Sequence, residues 1–197
     1  MAGSLRLFVA LEVPEAVQQG IAAAWEPLRS QERGVAWADP KGLHLTLKFL
    51  GEVEERRLPL LETALARAAR GSRPLRLQVQ GVGAFPSLSS PRVLWVGVIG
   101  DREALAALQE RVEEELVPLG FPREGHPFTP HITVGRVRAA LSPAERRRLG
   151  EAAGRVVLPQ DLSFEVSRLT LMHSTLTPQG ARYRPLHAWP LAQGAHP

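Results

Sequence analysis

Cysteine is absent from the 197 residues, which removes disulfides, thiolate nucleophiles and cysteine-ligated zinc from consideration. Asparagine is absent too, the kind of thermolabile amide that heat-adapted proteins avoid. Lysine is nearly absent, with 22 Arg against 2 Lys and a net charge of +4. A coding bias produces such a skew. Its physical consequence is a surface suited to phosphates, because guanidinium forks pair with them bidentately. No apolar run reaches the roughly 18 residues that a membrane helix needs. The opening MAGSLRLFVALEVPE lacks a basic n-region and a small-residue cleavage site, so it reads as a first strand and not a signal peptide. The expectation is a cytoplasmic protein with no membrane partner. Nothing signals an obligate apolar interface, so a monomer is expected.

The length suits one two-lobed unit over residues 1–197. Apolar alternation and turn residues predict strands over 5–13, 35–37, 43–51, 75–85, 93–100, 131–138, 166–176 and 182–191. Helices are predicted over 15–29, 54–70, 102–117 and 142–153, the last opened by a Ser142/Glu145 capping box. Clustered strands with intervening helices indicate an α+β fold with helices covering one face of the sheets.

Two short stretches stand out: HLTL at 44–47 and HITV at 131–134. Side chains alternate along a strand, so His44 and Thr46 share one face, as do His131 and Thr133. The apolar residues between them anchor each strand from the other face. An imidazole and a hydroxyl are then left about 7 Å apart. Two such strands around one pocket suit phosphodiester chemistry. A neutral His takes a proton from the attacking oxygen, a protonated His gives one to the leaving oxygen, and both forms exist near pH 6.5. Thr hydroxyls donate to the non-bridging oxygens, where charge develops. The scheme needs no metal or other cofactor. His-x-Thr is expected roughly 0.2 times by chance in this composition. The third copy, His173-Ser174-Thr175, runs into the TPQG turn and is read as structural or rim.

The flanks LRLFVALEVP, LHLTLKFLGEV, RVLWVGV, PFTPHITVGRVR and LTLMHSTLTPQGARY extend the pattern over nearly the whole chain. With the two motifs they resemble the 2H phosphoesterase superfamily, and within it the bacterial and archaeal RNA 2′,3′-cyclic phosphodiesterases, once called 2′-5′ RNA ligases. The resemblance implies a bilobal, pseudo-twofold duplicated α+β fold, with two antiparallel sheets around a central cleft and helices on their outer faces. It implies metal-independent hydrolysis of RNA 2′,3′-cyclic phosphate ends to 2′-phosphates, with reversible 2′-5′ joining. His44 would be the acid, His131 the base, and Thr46 and Thr133 the phosphate holders. The residues alone are symmetric between the acid and base roles.

Further candidates are weaker. Lys48 shares the His44 face in an ideal strand. Arg136 lies on the face opposite His131 unless Gly135 bends the strand. Phe8, Phe49, Phe128 and Tyr183 are candidates to stack a base, against the plainer reading of core aromatics. His126, His187 and His196 read as loop or terminal residues. Arg146 to Arg148 read as a solvated helix face that also suits guiding RNA by charge. Two alternatives use the same features: a phosphodiesterase acting on small cyclic nucleotides, and a non-catalytic RNA-binding module.

Overall fold

The computed structural model describes residues 3–177 and 180–192. Strands are β1 (Ser4–Glu12), β2 (Val35–Trp37), β3 (His44–Glu54), β4 (Leu75–Phe85), β5 (Val93–Gly100), β6 (His131–Val137), β7 (Ser163–Val166), β8 (Arg168–Thr177) and β9 (Gly180–Pro190). Helices are α1 (Glu15–Arg29), α2 (Leu58–Arg70), α3 (Arg102–Leu116) and α4 (Pro143–Ala153). The sequence placed most of these. Helix α2 starts four residues later than expected, because β3 continues to Glu54 opposite Ser4 and Pro59 suits the helix's first turn. Both halves of the Ser142/Glu145 capping box form. Strand β7 was not anticipated. It has four residues, and its pairing with β4 is what makes it a strand. The centre of the TPQG turn and His196 lie outside the described residues.

All pairings are antiparallel, in the order β7-β4-β5-β6-β3-β1-β8-β9, with β2 on β6. The two expected sheets are therefore two halves of one hydrogen-bonded path. They join at β3 and β6, where Leu45↔Ile132 is the only register pair among the described residues. Helices α2 and α3 cover the β3-β1-β8-β9 half, while α4 packs on β4 and α1 packs near Trp37 and Leu162 of the other half.

The chain order shows the duplication. β1-α1-β3-α2-β4 matches β5-α3-β6-α4-β8, and each repeat sends its first helix and its last strand to the other half. The half-sheets are thus not the two halves of the sequence.

The main core lies between sheet and helices: Leu7, Val9, Leu11, Leu45, Leu47, Ile132 and Val134 all point there and are buried. A second, smaller cluster of Phe8, Ala10 and Met172 lies on the opposite face of the sheet.

Both motif strands carry a bulge at the same place. In β3 the register passes from Thr46↔Ala10 to Lys48↔Val9, leaving Leu47 as the extra residue. In β6 it passes from Thr133↔Trp95 to Gly135↔Leu94, leaving Val134 as the extra residue. A one-residue bulge reverses the face of everything after it. Lys48, expected beside His44, is therefore turned into the helix side and is 2% exposed. There its Nζ donates to Glu113 Oε2 at 2.6 Å and to the Pro122 carbonyl at 2.7 Å. Glu113 also accepts from Gln109 Nε2 at 3.1 Å.

Removing one member of a buried pair strands a charge in the interior, at a cost of about 3–5 kcal/mol. Lys48→Met is expected to lose about that much unfolding free energy in urea titration, and Lys48→Met/Glu113→Leu to recover most of it.

Candidate active site

The Leu45↔Ile132 pair sets the geometry. Extending that antiparallel register by one residue puts His44 opposite Thr133 and Thr46 opposite His131. Opposed residues share a face. Leu45 and Ile132 point into the core, so the four polar side chains share the other face. The two histidines are diagonal neighbours, with Cα atoms about 7–8 Å apart on an ideal ladder. That separation leaves room for one phosphate hydrogen-bonded on each side at about 2.8 Å. All four are half-buried.

Each ring is held the same way. His44 Nδ1 lies 2.7 Å from the Gly42 carbonyl and His131 Nδ1 lies 2.6 Å from the Thr129 carbonyl. A carbonyl only accepts, so Nδ1 carries the proton and Nε2 is the free position. The Gly42 carbonyl comes from a short excursion, 38–43, between β2 and β3, both of which pair with β6. Asp39 Oδ1 accepts from Lys41 N at 3.0 Å within it. Gln18 Nε2 of α1 donates to the Leu43 carbonyl at 3.3 Å and anchors its end.

Aromatic rings flank both imidazoles. The His44 centroid lies 4.7 Å from Phe8 and 4.8 Å from Tyr183. The His131 centroid lies 4.9 Å from Phe85 and 6.0 Å from Trp95. Burial is the largest effect on both groups, and it holds each imidazole below its ordinary pKa. The carbonyl hydrogen bond opposes this shift, while the positive charge of Arg136 adds to it at both rings, and His131 adds to it at His44.

The other expected residues divide. Arg136 reaches the site: the Val134 bulge returns it to the His131 face. The adjacent Gly135 leaves no room for a side chain, because a Cβ there would lie 2.5 Å from Val35 Cγ1. Phe49 also reaches the site face, at 58% exposure and 6.1 Å from Phe8. Tyr183, 36% exposed, leans over His44 from β9.

Phe8 does not offer a face to a base. It is 2% exposed and forms the floor under His44. Phe128 packs against the main core. His173 stands opposite Leu7 and so faces the helix side of the sheet, as a structural residue. Arg146 is not free for RNA, because its guanidinium binds the carbonyls of Leu141, Pro91, Arg138 and Ala139. Sequence reasoning missed Phe85 and Trp95. The signal available was the pairing of a large aromatic with Gly83, visible only once β4 and β5 are in register.

A family model described as the 2′-5′ RNA ligase superfamily matches residues 14–177, a span containing both motifs. The chain is 33% identical over 187 residues to the RNA 2′,3′-cyclic phosphodiesterase of Methanothermobacter thermautotrophicus, covering 95% of this chain and 99% of that protein. It is 34% identical to TT0787 of Thermus thermophilus, whose crystal structure matches with a TM-score of 0.75 over 98% of this chain and 100% of that one. The crystal structure of E. coli LigT complexed with phosphate matches with a TM-score of 0.73 at 26% identity, over 98% and 100% of the two chains. Fold and relatives together define an enzyme of the phosphoesterase class. The chain belongs to the 2′-5′ RNA ligase superfamily, the 2H phosphoesterases.

The lowered pKa values have a measurable consequence. Unfolded histidines take up protons near pH 6.5, while His44 and His131 in the folded chain do so only at lower pH. As pH falls through 6.5 the unfolded state binds more protons, so stability drops until the folded rings also protonate, and the penalty is constant below that. NMR titration is expected to place both midpoints below 6.5, and Arg136→Gln to raise both. His44→Ala should lose less stability than the parent chain between pH 8 and pH 5.

Proposed function

We propose that the chain hydrolyses RNA 2′,3′-cyclic phosphate ends to 2′-phosphates by general acid–base catalysis with two histidines. The carrying observation is the pair of imidazoles on one face of the β3–β6 junction, each with Nδ1 tied to a carbonyl and Nε2 free. A water oxygen attacks phosphorus. Neutral His131 takes its proton at Nε2, protonated His44 gives its own to the departing 3′ oxygen, and the phosphate stays on the 2′ oxygen. Acid and base follow the superfamily pattern, since hydrogen bonding is the same at both rings. Thr46, Thr133 and Arg136 donate to the non-bridging oxygens, and Phe49 and Tyr183 border the base of the terminal nucleotide. A 5′-hydroxyl in place of water gives a 2′-5′ phosphodiester by the same transfers, and the step is reversible.

The names of the relatives support the substrate class. The donor set supports a reaction without metal. Two imidazoles without a carboxylate are a poor ligand group, and among the described residues no three His, Asp or Glu side chains converge on one point. Among those residues no helix is long and apolar enough to cross a membrane. Residues 1–197 act as one two-lobed unit, a reading supported by the strands that each sequence repeat supplies to both half-sheets, and the expected state is a monomer.

His44→Ala and His131→Ala are each expected to lower turnover of an RNA ending in 2′,3′-cyclic phosphate by about 10²-fold or more, with unchanged circular dichroism. Full activity in either variant refutes the reading. The product should carry a 2′-phosphate by ³¹P NMR, and EDTA should leave the rate unchanged. Because both pKa values are lowered, kcat/KM should follow a bell centred below pH 6.5.

A further inference from the structure

We propose that Trp95 and Phe85 form a second nucleoside platform, beside His131, for the nucleoside whose 5′-oxygen takes the place of water. The proposal rests on the function just described and deepens it.

Aromatic rings flank both motif histidines, but at positions that the duplication does not relate: Trp95 stands opposite Thr133, where Ala10 stands opposite Thr46. On one side His44, Phe8 and Tyr183 form a three-ring cluster, with Phe8 and Tyr183 at 5.3 Å. On the other side His131, Phe85 and Trp95 form a second, with Phe85 and Trp95 at 5.2 Å and tilted by 39°. The terminal nucleotide occupies the first side, next to the histidine that protonates its 3′ oxygen. The attacking oxygen arrives beside His131, so any group attached to that oxygen lies against the second cluster.

The second cluster is built as a surface. Register places Gly83, Trp95 and Thr133 in one row across β4, β5 and β6, and Phe85, Val93 and Arg136 in the next. The Trp95 indole lies across Gly83: a Cβ at 83 would meet its six-membered ring at 2.2 Å. One aromatic face thus rests on backbone, and Phe85 and His131 flank the ring at 5.2 Å and 6.0 Å. Trp95 and Phe85 are half-buried, and neither belongs to the main core cluster or to the hydrophobics packed against it. The indole Nε1–H has no acceptor among the described residues, so what the position uses is flat area. Gly97, opposite His131, has no side chain because a Cβ there would lie 2.6 Å from the Gln80 carbonyl, so that backbone and the Trp95 ring pack directly beside it. A flat ring with a guanidinium in the adjoining row is the chemistry that stacks a nucleobase and neutralises its phosphate.

The step balances without a co-reactant. The 5′-hydroxyl oxygen bonds to phosphorus and its proton goes to His131 Nε2. The phosphorus–O3′ bond breaks and His44 protonates O3′. The product is a 2′-5′ phosphodiester, and the reverse step regenerates the cyclic phosphate and the free 5′-hydroxyl.

The test compares two reactions in each protein: hydrolysis of adenosine 2′,3′-cyclic phosphate and cleavage of 2′-5′-linked diadenosine monophosphate. Trp95→Ala is expected to lower the ratio of kcat/KM for the dinucleotide to kcat/KM for the cyclic phosphate by about 10-fold or more. Phe85→Leu should lower it in the same direction, and Trp95→Tyr should restore most of it. If Trp95 only supports the His131 ring, both reactions fall together and the ratio stays constant, which overturns the proposal. An unsubstituted chain that hydrolyses the cyclic phosphate but leaves the dinucleotide intact also overturns it. The rate on an RNA ending in 2′,3′-cyclic phosphate is measured alongside, and failure on that RNA as well would instead remove the function on which the proposal rests.

Discussion

Where β3 and β6 meet, Leu45↔Ile132 is the only hydrogen-bonded register pair among the described residues, and the site depends on that narrow seam. The two side chains are fully buried, which fixes the rotation of both strands about their axes. Turning either strand by one residue would expose leucine, isoleucine and valine and drive the histidines into the core. Burial of those apolar groups, at roughly 25 cal/mol per Å², therefore determines where the imidazoles point. The short pairing also lets the half-sheets diverge on either side of the seam. The two motifs come close at that seam.

The site combines groups with opposing electrostatic demands. Two imidazoles and Arg136 gather on a partly dry surface, so protonation is disfavoured at each ring by burial and by positive charge. The carbonyls of Gly42 and Thr129 counter this by stabilising the Nδ1–H. They also leave Nε2 as the ring nitrogen not bonded to a backbone carbonyl. An anion bound on this surface would supply the negative charge that it lacks and favour protonation of both rings. Lys48 does not take part. The bulge places it among Glu113 and Pro122, where it ties β3 to α3 and to the segment approaching His131.

The bulges are what allow a duplicated strand to serve two purposes. His-x-Thr is identical in both copies, but the residue brought back to the cleft by the extra position is Phe49 in one and Arg136 in the other. One repeat thus contributes an apolar ring and the other a cation to the same face of the seam.

Local alternation and capping chemistry made the α+β class legible, along with the bounds of β2, β4, β5 and α1 and the shared face of each His–Thr pair. These depend on neighbours a few positions apart, which a linear pattern records. Arg136 was legible in part, because Gly135 marked a place where the strand can bend. Lys48 was misplaced, Phe8 and Phe128 took the plainer core reading over base stacking, and Phe85 and Trp95 were missed, each because its environment comes from a strand or helix distant in the chain. The exchange of helices and strands between half-sheets was equally invisible, since pairing partners are chosen by long-range burial. Two imidazole–hydroxyl pairs projecting from apolar strands were written into the chain itself. Their meeting at Leu45 and Ile132, and the rings that surround them, came only with folding, because register and bulges are properties of paired strands and no single strand contains its partner.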